Sequence, residues 1–317
     1  RIVKVDLATF TRSDIMYLAG GENYLWSALM DPAGEFAYFG AFTSPGRVVK
    51  IDLDTFQRVG AVTLAEGEDH LRSAAVMDPA GAFIYVGTET TPGRIVKIDL
   101  ATFQRVDAIT LAPDEGSLWS AVVDAAGEYA YFGTGDSPGR VVKVDLATFQ
   151  PVATITMNSG ENDLKSAVIA PDGRFAYFGT NTNPGRIIAV DLATFQRAGA
   201  VTLNSGENEP WSAAIDPAGE FAYFGLGGSY CGAIAKMRLH GSDYALPPWA
   251  TIDPENGTVP ATASRSLTVT FDASGLAVGS YEATLRLTSN DPGRPMATVP
   301  LRLVVVGDRI FAVGFDP

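Results

Sequence analysis

Apolar and polar positions alternate along most of this chain in short runs set between turn-forming clusters. Val141, Val142 and Val144 surround Lys143, and the segment from Val152 to Met157 is rich in β-branched residues at strand length. Leu267, Val269 and Phe271 alternate with polar residues, as do Leu285 and Leu287. No stretch carries apolar residues at helical spacing. Within residues 118–157 the pattern predicts four strands, "LWSAVVDAAG", "EYAYFGT", "RVVKVDL" and "FQPVATITM".

That four-strand unit recurs. "SPGRVVKIDLDTFQ" occupies 44–57, "TPGRIVKIDLATFQ" 91–104, "SPGRVVKVDLATFQ" 137–150 and "NPGRIIAVDLATFQ" 183–196, and the chain opens on "RIVKVDLATFT". The phrase restarts at Arg1, Arg47, Arg94, Arg140 and Arg186, at spacings of 46, 47, 46 and 46 residues. A degenerate start, "AIAKMRL", spans 233–239. Turns have their own chemistry. "DPAG" at 31–34, 78–81 and 216–219 puts Pro where its fixed φ suits a turn and Gly at the turn's end, and "APDG" at 170–173 is a variant. In "DLATF" the Asp carboxylate can accept backbone N–H groups that follow it. "SPG" stops one strand and starts the next.

Four antiparallel strands in roughly 40–50 residues is the period of a β-propeller blade. One such sheet has two apolar faces and cannot bury both alone. Stacking each sheet against a neighbour buries them, and arrangement around an axis removes the exposed end faces. The "YFG" tripeptides at 38–40, 131–133, 177–179 and 223–225, with "YVG" at 85–87, supply ring area at one place in each unit. Burying such a ring contributes about 1.5–3 kcal/mol. The pair "SA" at 27–28, 73–74, 120–121, 166–167 and 212–213 suits a crowded innermost strand.

Residues 1–240, through "YFGT", "PGRVVKVDLATFQ" and the turns before them, resemble the YVTN class of propeller repeats found in bacterial surface and secreted proteins. "YFGT" or "YVGT" stands where that family has "YVTN". The resemblance implies a propeller and an extracytoplasmic, bacterial setting. Arg1 falls inside a repeat, so the expectation is a fragment or processed form with its leader and further repeats upstream, in a ring of six or seven blades. A five-blade ring closed by residues 1–18 against 210–225 would leave "AIAKMRL" over.

The phrase stops at His240. "GSDYALPP" at 241–248 reads as a linker. Strand patterns between turn clusters then predict a small β-sandwich over 249–307, and "FDASGLAVGSYEATLRLTSNDP" at 271–292 resembles the Ig-like modules that end many secreted bacterial proteins. "DRIFAVGFDP" at 308–317 is similar to a short terminal motif of such proteins and is expected to be a tail. The fold class is therefore all-β, a β-propeller of four-stranded blades followed by an Ig-like sandwich.

A net charge of −13 repels phosphate backbones and anionic lipid, so neither nucleic acid nor membrane insertion is expected. No run of about 18 apolar residues is present to form a transmembrane helix. The single cysteine, Cys231, allows no intrachain disulfide.

Chemistry-bearing residues are sparse. His70 and His240 are the two histidines, and no pattern pairs either with a nucleophile or a metal partner. The glycines belong to turns, none opening a helix as in a phosphate loop. No cofactor is expected. Acidic residues recur before each inner strand: Glu22, Glu66, Glu68, Asp69, Asp114, Glu115, Glu161, Asp163, Glu207 and Glu209. A solvated rim is the favoured reading of these, a carboxylate ring around a cation the alternative.

One position stands apart. Before the repeated Ser it reads Trp26, Arg72, Trp119, Lys165 and Trp211, between neighbours that hardly change. Indole faces stack on sugars, and Arg or Lys can grip carboxylates or pair with rings. These five residues are the candidate ligand site, set against the plainer reading that they only cap the inner strand. The expected function is a secreted or cell-surface, non-catalytic binding or scaffold protein that offers one propeller face to a glycan, peptide or protein ligand. The alternatives are a propeller enzyme of lactonase or lyase type with its catalytic residues on missing blades, or a structural adhesin or stalk component.

Overall fold

A computed structural model of the chain describes residues 1–216, 219–227, 232–239, 249–253, 266–288, 296–306 and 309–312. Every regular element among them is a β-strand. The chain divides into two compact units, Arg1–Leu239 and His240–Pro317. His240, Cys231 and the linker at 241–248 lie outside the described residues.

The first unit is a β-propeller of five blades built on a four-stranded antiparallel meander. It opens with a two-stranded ladder, β1 (Ile2–Asp6) and β2 (Thr11–Met16). Blade 1 is β3 (Leu25–Met30), β4 (Phe36–Ala41), β5 (Arg47–Asp52) and β6 (Gln57–Thr63). Blade 2 is β7 (Leu71–Met77), β8 (Phe83–Thr88), β9 (Arg94–Asp99) and β10 (Gln104–Thr110). Blade 3 is β11 (Leu118–Val123), β12 (Tyr129–Thr134), β13 (Arg140–Asp145) and β14 (Gln150–Thr156). Blade 4 is β15 (Leu164–Ile169), β16 (Phe175–Thr180), β17 (Arg186–Asp191) and β18 (Gln196–Thr202). Blade 5 shows three strands among the described residues, β19 (Pro210–Ile215), β20 (Phe221–Leu226) and β21 (Ala233–Arg238).

The chain as given holds five blades, against the expectation of a ring of six or seven. "AIAKMRL" is not left over: it is β21, paired with β20 in the third-strand place. Residues 1–18 do not complete that blade. β1 pairs with β2, and Met16 packs with Ala37, Val49, Ile51 and Phe56 of blade 1. The repeat sets how one blade packs on the next, but the number around the axis follows from small inter-blade rotations that no single unit spells out.

Packing between blades explains the repeated phrase. Val48, Tyr38 and Val62 of blade 1 share a core with Ile84, Val86, Val96 and Ile98 of blade 2, and the same sharing recurs further round. In each "DLATF" turn the Asp takes backbone N–H groups, as Asp6 does from Ala8 at 2.9 Å and Thr9 at 2.8 Å. The turn forces the following Phe into the left-handed region, with φ near 50° at Phe56, Phe103, Phe149 and Phe195. A bulky residue there costs about 1–3 kcal/mol. The ring offsets it by crossing to the neighbouring blade: Tyr38–Phe103, Tyr85–Phe149 and Tyr131–Phe195 centroids lie 6.0, 5.7 and 5.9 Å apart. The Lys of "VVK" covers the cluster, as Lys97 does 4.0 Å above Phe83. Burial pushes the Tyr85 phenol up to about 12.

Innermost strands sit side by side because the "YFG" glycine makes room. A Cβ on Gly133 would lie 2.9 Å from that of Leu164 on the next blade. The small serines join neighbours directly: the Ser120 hydroxyl donates to the Leu164 carbonyl and that of Ser166 to the Pro210 carbonyl, each at 2.8 Å.

The second unit has two small sheets. β22 (Ala250–Asp253) pairs with β23 (Thr268–Phe271), and β24 (Gly279–Thr288), β25 (Met296–Val306) and β26 (Arg309–Ala312) form the other. They share a core of Trp249, Leu285, Leu301 and Leu303 with Phe271 and Val269 against it. Residues 309–312, read as tail from the sequence, are a strand of this sheet.

Candidate functional site

The variable position before each repeated Ser falls at a break in strand register. In blade 1 Leu25 pairs with Ala41 and Ser27 with Gly40, so Trp26 is an extra residue without a partner across the ladder. Trp119, Lys165 and Trp211 are placed the same way, and Arg72 lies within the shift between Leu71 and Ala75. A bulge bends the strand and re-aims one side chain. Here it leaves that side chain without a partner across the ladder, which frees the position to vary.

All five side chains converge at the channel end where the inner strands begin. The Arg72 guanidinium lies 5.2 Å from the Trp26 ring and 5.1 Å from Trp119. Lys165 Nζ lies 3.6 Å from the Trp119 centroid and 4.2 Å from Trp211. Trp211 and Trp26 meet at 6.3 Å. The result is a belt of alternating indoles and cations, each cation held against ring faces in a partly desolvated site, where such contacts are worth about 1–2 kcal/mol. A space of about 230 Å³ lies at the belt itself. A second, of about 300 Å³, lies against the serines and alanines of the inner strands as well as Trp26, Lys165 and Trp211.

Sequence reading missed the belt's supports. Arg72 Nε donates to Glu89 at 2.6 Å. Phe42 stands 5.0 Å from the Arg72 guanidinium and stacks on His70 at 4.4 Å. His70 is thus half-buried against a ring. Trp211 Nε1 donates to Glu209 at 3.1 Å. The available signal was a second variable position, just past "YFG" and the residue after it: Phe42, Glu89, Gly135, Asn181 and Gly227. It changes in step with the first, and a Cβ on Gly135 would stand 3.1 Å from the Trp119 indole.

Lys165 differs from Arg72. It is only 9 % exposed, lines both spaces, and has no hydrogen-bond acceptor or carboxylate in contact among the described residues. Burial first, then the Arg72 charge, push its ammonium below the ordinary lysine range, against the pull of Asp163, Glu209 and Glu89.

Four of the recurring acidic residues belong to no solvated rim, whereas Glu66 and Asp114 are exposed as expected. Glu22, Glu68, Glu115 and Glu161 are buried. Arg58 takes Glu22 through both carboxylate oxygens, Arg105 takes Glu68, and Arg197 takes Glu161 at 2.5 and 2.8 Å. Each Glu also closes its own turn, as Glu161 does by accepting the Asn158 N–H at 3.0 Å. Carboxylates so engaged have no oxygen to spare for a cation at the axis. Among the described residues no three His, Cys, Asp or Glu side chains converge on one point.

The class defined by this fold is the five-bladed β-propeller. No protein-family model matches the chain, and no curated protein does. Among solved structures it is similar to a chain of Kuenenia stuttgartiensis hydrazine synthase, at 15% identity and a TM-score of 0.58, over 71% of this chain and 70% of that one. At that identity the likeness is one of fold.

Proposed function

We propose that this chain is a non-catalytic binding or scaffold protein of secreted or cell-surface bacterial type, using the belt end of its channel for a glycan, peptide or protein ligand. One observation carries the reading. Five residues placed at strand bulges gather into one aromatic and cationic belt beside open space, while the strands and turns around them hardly change. Residues that vary within a repeated scaffold and share one mouth are where recognition is written without disturbing the fold. Kinship of the blades with the YVTN repeats, and of the second unit with Ig-like modules, belongs to the same proposal and rests on the sequence resemblances. The second unit then serves as a spacer or docking piece.

Glycan and peptide arrays probed with the full chain, beside the Trp119→Ala/Trp211→Ala double variant, test this. The expected result is binding by the unaltered chain and its loss in the double variant with strand content intact by circular dichroism. Equal binding by both chains would remove the belt from the function.

A further inference from the structure

Lys165 is the one belt cation with no carboxylate against it. Arg72 spends its charge on Glu89 at 2.6 Å. The Lys165 ammonium is instead walled by two indole faces and lines both spaces of the channel. A buried charge with no carboxylate in contact is costly, and the ring faces and the more distant Glu89, Asp163 and Glu209 return only a fraction of that cost. What remains is a demand for an anion at that point.

The surroundings narrow the anion. Spaces of about 230 and 300 Å³ are at the lower end of ligand pockets and suit one small unit. Trp26 and Trp211 keep 43 % and 37 % of their surface exposed at the mouth, offering flat apolar faces to a ring. Of the inner-strand serines, Ser73 and Ser212 are exposed and line both spaces, whereas the Ser120 and Ser166 hydroxyls are engaged on the next strand. A single ammonium matches a single negative charge. Glu89, Asp163 and Glu209 all act on Lys165, and they disfavour a doubly charged group beside it.

We infer that the belt takes an acidic monosaccharide unit of uronate type, its carboxylate on Lys165, its ring against Trp26 or Trp211 and its hydroxyls toward Ser73 and Ser212. This deepens the binding reading above and rests on it.

Calorimetric titration of the full chain with D-glucuronate and D-galacturonate, with glucose and galactose as neutral parents, and with glucose 6-phosphate, tests the inference. A uronate is expected to bind at least tenfold more tightly than its neutral parent and more tightly than the phosphate. Lys165→Met, which keeps the stem between the indoles, is expected to erase that preference. The comparison on the unaltered chain stands even if this variant fails to fold. Equal affinity for uronate and parent, or a preference for the phosphate, would overturn the carboxylate assignment and leave the belt as a binding site. Array binding of peptides with no sugar bound would overturn the ligand class alone. Silence of the unaltered chain on every array would bring down the binding reading itself.

Discussion

Arg105 and Glu68 stand 37 residues apart and are joined through both carboxylate oxygens, Nε to Oε2 at 2.8 Å and to Oε1 at 3.1 Å, and a second guanidinium nitrogen to Oε1 at 2.5 Å. Glu68 is almost fully buried at the entry to blade 2, and Arg105 lies on that blade's last strand, so the pair straps the entering chain to its own blade. Removing one partner leaves a buried charge unanswered. Arg105→Ala is expected to cost about 3 kcal/mol in urea unfolding. Blade 3 carries Pro151 at the equivalent place, and there Thr154 donates to Glu115 at 2.7 Å instead. Thr154→Ala should cost about 1–2 kcal/mol, and adding Pro151→Arg to it should restore the loss by rebuilding the strap. A double variant less stable than Thr154→Ala alone would contradict this account.

The straps set an acid limit. Burial raises the carboxyls of Glu22, Glu68 and Glu161, but the guanidinium bonds, the turn N–H and the arginine charges outweigh it and leave each below its ordinary value of 4.5. A carboxyl whose folded pKa is depressed stabilises fully above the unfolded value and loses that contribution as pH falls through the folded one. Unfolding midpoints are therefore expected to stay level from pH 8 to about 5.5 and to drop below about 4.5. Glu68→Gln should make that drop shallower, as followed by urea titration at each pH. An unchanged slope would place the acid sensitivity elsewhere.

Gly133 and Gly225 occupy the same place in "YFG" but not the same surroundings. A Cβ on Gly133 would meet Ser120 Oγ at 2.4 Å and the Leu164 Cβ at 2.9 Å, whereas on Gly225 it would meet only Ser212, Oγ at 2.4 Å and Cβ at 3.8 Å. Gly133→Ala must push neighbouring blades away from each other and is expected to cost about 2 kcal/mol by overpacking. Gly225→Ala asks one hydroxyl to turn and should cost less than about 1 kcal/mol. Thermal melts of the two single variants check the order, and equal losses would deny that the inter-blade seat requires glycine.

Phe149 combines a left-handed backbone, φ 52°, with a buried ring on Tyr85. Phe149→Ala loses the ring and keeps the strain, for an expected cost of about 3–5 kcal/mol. Phe149→Gly also loses the ring but sheds the strain, and should be about 1 kcal/mol more stable than the alanine variant. The reverse order would mean the backbone there is not strained.

The blade was readable because its signals are local: strand period, the "DPAG" turns and the Asp of "DLATF" act within a few residues. The five belt residues were found for the opposite reason, as the place where a constant phrase varies. Glu89 and Phe42 were missed because their variation lies some 16 residues downstream and becomes meaningful only when the second strand returns beside the first. Glu22, Glu68 and Glu161 were misread because their arginines lie 36 or 37 positions on, where the fourth strand passes the entry loop.

Repetition of a unit with two apolar faces was enough to require a stack of like sheets, since no such sheet buries both faces alone. How the sheets seat on one another was decided by contacts between repeats, such as Gly133 on Leu164, which no single repeat spells out. The same seating decided the site. Trp26, Arg72, Trp119, Lys165 and Trp211 span 186 positions of chain, and they become one belt, with Lys165 between two indoles and no carboxylate in contact, only where the inner strands share an axis.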